Sequence, residues 1–236
     1  MLYYKHNENF EVEEMDTAFL ATTPLFRGST PEEIGPMLVC LHGREKHFSK
    51  GELIFRAGTV IHELGVVLAG VVSIESDDLW GNKTILDQVR AGRVFAETYA
   101  CMPGEALMVN VVAMEPTDIL LLDVGNILQP CAKACAYHTL LIRNLLAISA
   151  QKNLNLSRRS FHTAPKTIRG RLLSFLSYQA LTQGRRDFRI PFDRQQLADY
   201  LNVDRSALSA ELGKMQREGL LTVEKNHFVV SAQLAK

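Results

Sequence analysis

The sequence predicts an α+β protein: an antiparallel β-roll, then one long helix, then a small winged helix-turn-helix. Three observations carry that reading. Short β-rich runs between Phe48 and Leu122 are separated by glycine-bearing turns. Between Gly125 and Ser160 there is no glycine, and the only proline is Pro130. Near the C-terminus two short helical patterns are joined by a three-residue turn.

Composition bounds the possibilities. With 47% apolar residues over 236 positions the chain can bury a core, which excludes a disordered tail protein. No window nears the ~18 consecutive apolar residues of a membrane helix. The polar stretch Met1 to Phe10 is unlike a secretory signal, so a soluble, cytoplasmic protein is expected. The formal charge is zero, from 26 basic and 26 acidic side chains, yet it divides unevenly. Residues 1–156 hold 12 Lys/Arg against 19 Asp/Glu, and residues 157–236 hold 14 against 7. Such asymmetry is a prior for a nucleic-acid-binding part joined to something else, although a basic surface without a partner gives the same sums. The four cysteines (Cys40, Cys101, Cys131, Cys135) form no CxxC pattern and no disulfide framework is expected.

The elements follow in order. Residues 1–20 read as an acidic extension. Pro31-Glu32-Glu33-Ile34 is a helix start, with proline in the first turn and acids behind it. The expected strands are Leu53–Arg56, Leu64–Leu68, Val71–Glu75, Lys83–Val89, Val109–Ala113 and Asp118–Leu122, giving a sensor-like β-domain over 21–124. A helix over 125–160 carries a heptad seam of Ile127, Cys131, Ala134, His138, Leu141, Leu145, Ile148, Lys152 and Asn155. A second stripe (Leu128, Cys135, Ile142, Leu146) lies beside it, so one stripe is expected on the β-domain and the other on a second subunit. Ser160–Pro165 reads as a hinge. An amphipathic helix over 166–182 then buries Ile168, Leu172, Leu173, Leu176 and Leu181, and opens a third domain over 161–236.

The segment Asp193 to Leu212 carries the chemistry. Asp193 caps a helix Arg194–Leu201, Asn202-Val203 turns the chain, and Asp204 caps a second helix from Arg205 to about Arg217. Leu197, Leu201, Leu208, Leu212 and Met215 face inward, and small Ala198 lets the helices cross closely. The outward positions Arg205, Ser206, Ser209 and Ala210 stand where such helices reach base edges in the major groove. Leu220–Val223 and Phe228–Val230 make a hairpin wing. Arg194, Lys166, Arg169 and Lys225 are candidates for phosphate contacts.

These pieces resemble the cyclic-AMP receptor protein/fumarate-nitrate regulator (CRP/FNR) superfamily of bacterial transcription factors, from about Leu20 onward. The matching stretches are Thr23-Pro24-Leu25-Phe26, Lys50-Gly51-Glu52, Leu68-Ala69-Gly70-Val71-Val72, Gly92-Arg93-Val94-Phe95-Ala96-Glu97, the long helix, and Arg194 to Leu221. The resemblance implies a cyclic-nucleotide-binding-like sensor roll, a dimerisation helix, and a winged helix binding palindromic double-stranded DNA as a homodimer. It also implies RNA polymerase as a partner if the protein activates, and no membrane or enzymatic role.

The departures matter as much. Cyclic-nucleotide-binding members carry Gly-Glu and, further along, Arg-Ser or Arg-Thr. Here Glu97 is kept, but Leu107-Met108 stands at the Arg-Ser positions. A buried phosphate would lack its compensating charge, which argues against cyclic AMP. Glu97, Leu107, Met108, Lys152 and Asn153 are then the expected effector pocket of unknown ligand. Leu107, Met108 and the apolar strands leave room for a hydrophobic or aromatic molecule. Lys152, at a helix position that approaches the ligand in cyclic-AMP-binding relatives, meets an anionic effector or is a solvated seam residue. Residues 1–39 hold no cysteine, so the iron–sulfur cluster of the fumarate-nitrate branch is not expected. Cys131 and Cys135 are alternatives as a thiol or metal sensor, and His138 as a haem or metal ligand, each against a plain packing role. His42 and His47 fall in no metal-ligand motif. A cupin-like metal enzyme is a further alternative that no clustered ligand pattern supports. The best-known members expose Arg-Glu-Thr-Val-Gly/Ser-Arg on the recognition helix. Here the run is Arg205-Ser206-Ala207-Leu208-Ser209-Ala210, so an unusual operator is expected.

Overall fold

The computed structural model describes residues 15–78, 80, 83–129 and 136–231. The chain divides into two compact units, Met1–Ala150 and Gln151–Lys236.

In the first unit, α1 (Thr17–Thr22) and α2 (Pro31–Cys40) precede eight strands: β1 (Arg44–Phe48), β2 (Leu53–Phe55), β3 (Glu63–Ala69), β4 (Val71–Asp77), β5 (Lys83–Arg90), β6 (Val94–Phe95), β7 (Asn110–Ala113) and β8 (Thr117–Asp123). A one-turn helix, α3 (Glu97–Ala100), sits between β6 and β7. The strands form two antiparallel sheets, ordered β1-β8-β3-β6 and β2-β7-β4-β5. Their inner faces share a core of Phe48, Val67, Val72, Val89, Phe95, Val111, Ala113, Ile119 and Leu121.

The first sheet is covered on its outer face as well. Ile119 and Leu121 of β8 turn inward, while Leu120 and Leu122 join Leu64 and Val66 of β3 under a layer of helices. That double burial is why Ile119–Leu122 is a continuous apolar run rather than an alternating one. Glycine is required at position 65, where a Cβ would stand 2.1 Å from the Phe95 ring. The β3–β4 turn needs Gly70, whose φ is +83° and whose Cβ would meet the Pro116 carbonyl at 2.6 Å.

Two strands of this unit are absent from the sequence reading. β1 is exposed at four of its five positions, so its polar sequence gives no burial pattern. β6 has only two residues and no period to display.

The helical layer comprises α1, α2, α4 (Val124–Leu128) and the first half of α5 (Ala136–Thr163). Thr30 and Glu33 form a capping box at the start of α2, behind Pro31 at its first turn. The single helix expected over 125–160 is corrected: α4 ends at Leu128, and Gln129 is extended as a residue before proline prefers. His138, Leu141 and Leu145 of the expected seam are buried in this unit's own chain. Of the second stripe, Ile142 packs on the same core and Leu146 is 67% exposed.

The second unit holds the end of α5, then α6 (Ile168–Gln183), β9 (Asp187–Arg189), α7 (Arg194–Leu201), α8 (Arg205–Arg217), β10 (Leu221–Glu224) and β11 (His227–Val230). The wing is three-stranded, in the order β10-β11-β9, with β9 the strand that sequence patterning missed. Leu172, Phe175, Leu176, Phe188, Leu197, Ala198, Leu201, Leu208, Leu212, Met215 and Phe228 fill its core. Leu181, expected on the buried face of α6, is instead 81% exposed in the last turn before Gly184.

Candidate nucleic-acid interface

The local chemistry of residues 193–217 determines how α7 and α8 meet. Asp193 and Gln196 form a capping box, with backbone-to-side-chain bonds of 2.8 and 2.9 Å. Asn202 takes the left-handed conformation (φ +53°) that ends α7, and Val203 N–H donates to the Ala198 carbonyl at 3.0 Å. Asp204 then caps α8 by accepting from Ala207 N–H at 2.8 Å. The Ser206 hydroxyl, followed by that amide, holds the Asp204 carboxyl below its usual range. Leu208, Leu212 and Met215 are buried, so the opposite side of α8 is left outward.

That outward side presents Arg205, Ser206, Ser209 and Ala210, all exposed. Ser206 Oγ donates to Asp204, and Ser209 Oγ donates to the Arg205 carbonyl at 2.9 Å. Both hydroxyls thus spend their proton inside the helix and keep acceptor lone pairs for the outside.

The flanking cations separate into two groups. Lys166 is exposed one residue before the Thr167 cap of α6, and Lys225 is exposed at the wing turn with φ +55°. Arg194 is half-buried at the first turn of α7, where burial pushes its guanidinium down. Its guanidinium has no hydrogen-bonding or ionic partner among the described residues.

Arg169 is corrected. Its guanidinium grips both oxygens of Glu218 at 2.8 Å and Glu211 at 2.6 Å, bracing α6 against α8. Those carboxylates hold it firmly protonated and take three of its five N–H donors.

Two further arginines went unnoticed in the sequence. Arg159 donates to the carbonyls of Asp199 (2.8 Å) and Tyr200 (3.1 Å), and Arg171 to those of Leu201 (3.0 Å) and Asn202 (2.7 Å). They neutralise the negative end of α7. Only their place in the tertiary structure distinguishes them from phosphate binders.

In the first unit, Glu97 is 2% exposed and opens α3 behind a left-handed Ala96. Leu107 is equally buried, its backbone tied to Thr59 (2.9 Å) and Gly58 (2.7 Å). Met108 is corrected: it is 77% exposed, so it lines no enclosed pocket. Lys152 and Asn153 belong to the second unit, half-buried and exposed. His42 bonds Asn126 at 3.0 Å and His47 bonds Asp118 at 2.6 Å. Among the described residues no three His, Cys, Asp or Glu are grouped to hold a metal. Cys131 and Cys135 lie outside the described residues.

Comparison with known proteins agrees with this geometry. Residues 45–134 match the cyclic nucleotide-binding domain, and residues 170–234 match the Crp-like helix-turn-helix domain. The chain belongs to the CRP/FNR superfamily.

Members of the CRP/FNR superfamily are transcription regulators, with a helix-turn-helix DNA-binding domain and a cyclic-nucleotide-binding-like sensor domain. The chain is similar in fold to OCPA-complexed CprK, at 17% identity and TM-score 0.53, covering 82% of this chain and 90% of that one. It is also similar to the catabolite activator protein of Thermus thermophilus (24% identity, TM-score 0.49, 90% and 98% covered). A third similar structure is DNR of Pseudomonas aeruginosa (20%, 0.45, 92% and 95%). No curated protein matches the sequence significantly.

Proposed function

We propose that this regulator binds palindromic double-stranded DNA as a homodimer in the cytoplasm, under control of a small effector other than cyclic AMP, and catalyses no reaction. The observation that carries the reading is the outward face of α8, with Arg205, Ser206, Ser209 and Ala210 exposed at its first turns. Arg205 reads a guanine through its paired donors, while the two serines accept from exocyclic amino groups of adenine or cytosine. Lys166, Lys225 and Arg194 hold phosphates and fix the register. Half-sites lie about one helical turn apart, roughly 34 Å.

Dimerisation is supported by apolar side chains on α5: Leu146 (67% exposed), Leu154 (50%) and Phe161 (73%). Glu97 and Leu107, with Lys152 and Asn153, remain the positions proposed to meet the effector. Leu107 brings no charge for a phosphate. RNA polymerase is the further partner if the protein activates.

Selection of genomic fragments with and without cell extract tests the reading. It should return a two-fold symmetric site with a guanine that Arg205→Ala ceases to prefer. Failure to enrich any sequence, or full site preference in Arg205→Ala, sinks it.

A further inference from the structure

We infer that Cys40 and His138 form a peroxide-reactive thiol through which the sensor unit responds to oxidant. Cys40 is the last residue of α2 and His138 lies one turn into α5. Their side chains meet with Sγ 3.5 Å from Nε2. His138 is 5% exposed, whereas Cys40 keeps partial access to solvent. A cavity of about 10 Å³ opens beside the pair, walled by Met37, Leu41, Tyr137 and Leu141. That volume is about that of one water molecule, so the oxidant reaches Sγ from the solvent-accessible side of Cys40.

The pair is a nucleophile beside a base. Nε2 takes the thiol proton, leaving the thiolate that does the chemistry. The thiolate attacks one oxygen of a hydroperoxide, an S–O bond forms and the O–O bond breaks. The departing oxygen carries the electron pair away and takes the proton back from the imidazolium. The products are Cys40 sulfenic acid, water or an alcohol, and a neutral imidazole, with sulfur oxidised by two electrons and the peroxide reduced. Cys101 is the internal contrast, because burial and then nearby Glu97 push its thiol up and away from the reactive thiolate.

An oxygen on Cys40 would occupy that cavity and set a polar group among Met37, Leu41, Tyr137 and Leu141, so the packing of α2 against α5 must change. α5 is the helix that continues to Thr163. The regulatory consequence rests on the DNA-binding reading above, whereas the chemistry does not.

The test uses the full native chain with dilute hydrogen peroxide, a sulfenic-acid trap and peptide mapping of each cysteine. Cys40 should be trapped at least tenfold faster than Cys101, and His138→Asn should slow Cys40 at least tenfold while leaving Cys101 unchanged. If that variant does not fold, the Cys40-to-Cys101 ratio in the native chain decides alone. Operator affinity should shift at least fivefold on oxidation, and Cys40→Ser should abolish the shift. Slower trapping at Cys40 than at Cys101 overturns the inference. So does an oxidation shift that persists in Cys40→Ser, or one metal ion per chain that Cys40→Ser releases. Absence of operator binding by the reduced chain sinks the DNA-binding reading and leaves the trapping result to decide the chemistry.

Discussion

At the scale of single residues, the basic half of the chain is less available than its composition suggests. Arg159 and Arg171 serve carbonyls, and Arg169 serves two carboxylates. Lys166→Ala should therefore lower the salt slope of operator binding by about 1. Arg169→Ala should leave that slope unchanged and lower Tm instead. Equal slopes for the two variants would refute the division. Sequence alone identified the caps Asp193 and Asp204, because capping is decided within four residues. It misassigned Arg169, because its partners lie 42 and 49 residues away.

His162 carries a second consequence at this scale. Packed against Phe175, Tyr178 and Tyr200, it has its imidazole pKa pushed down by burial. The folded pKa then lies below the unfolded value near 6.5, so the unfolded chain binds more protons in between. Its stabilising share is whole above about pH 6.5 and is lost as pH falls toward the folded value. Tm of the second unit should drop between pH 7 and pH 5, above the carboxylate range, and His162→Phe should flatten that drop. An unchanged slope in the variant would assign it elsewhere.

At the scale of elements, legibility followed burial pattern. β3, β4 and β8 were readable as apolar runs between turn residues, and α7 and α8 from their caps. β5, exposed at seven of its eight positions, was readable only from its β-favouring composition and bounding turns. The end of α4 at Leu128 was not legible because a proline in a first helical turn and one just after a helix look alike in sequence. Gly65 is the element-scale determinant that no pattern announces, since its role is to leave space for Phe95, 30 positions later. Gly65→Ala should cost about 1–3 kcal/mol by displacing that ring. Gly51→Ala is a poor control because its φ is +82°, whereas Gly213→Ala, inside α8 with φ unremarkable, should be neutral or stabilising. Thermal unfolding of the two variants distinguishes a steric role from general loss of glycine.

At the scale of the whole molecule, the acidic–basic division read from the sequence separates a sensor part from a DNA-binding part. The assembly was only half legible: two stripes on the long helix were expected to have two partners, and the heptad seam serves the chain's own core at His138, Leu141 and Leu145. The large apolar side chains left outward on the described part of α5 are Leu146, Leu154, Leu156 and Phe161, with Leu154 and Phe161 seven residues apart. Burying each would contribute about 1.5–3 kcal/mol to association. A Leu154→Glu, Phe161→Glu chain should sediment as a monomer and lose at least tenfold in operator affinity. A stable dimer from that chain would place the interface elsewhere.

The two arginines on the carbonyl end of α7 have a mechanical meaning beyond charge. One comes from the last turns of α5 and the other from α6, and both hold the segment that leads into α8. The recognition helix is thereby splinted to its neighbours on two sides. It has little freedom to tilt by itself, and any torque delivered to the end of α5 turns the reading head with it.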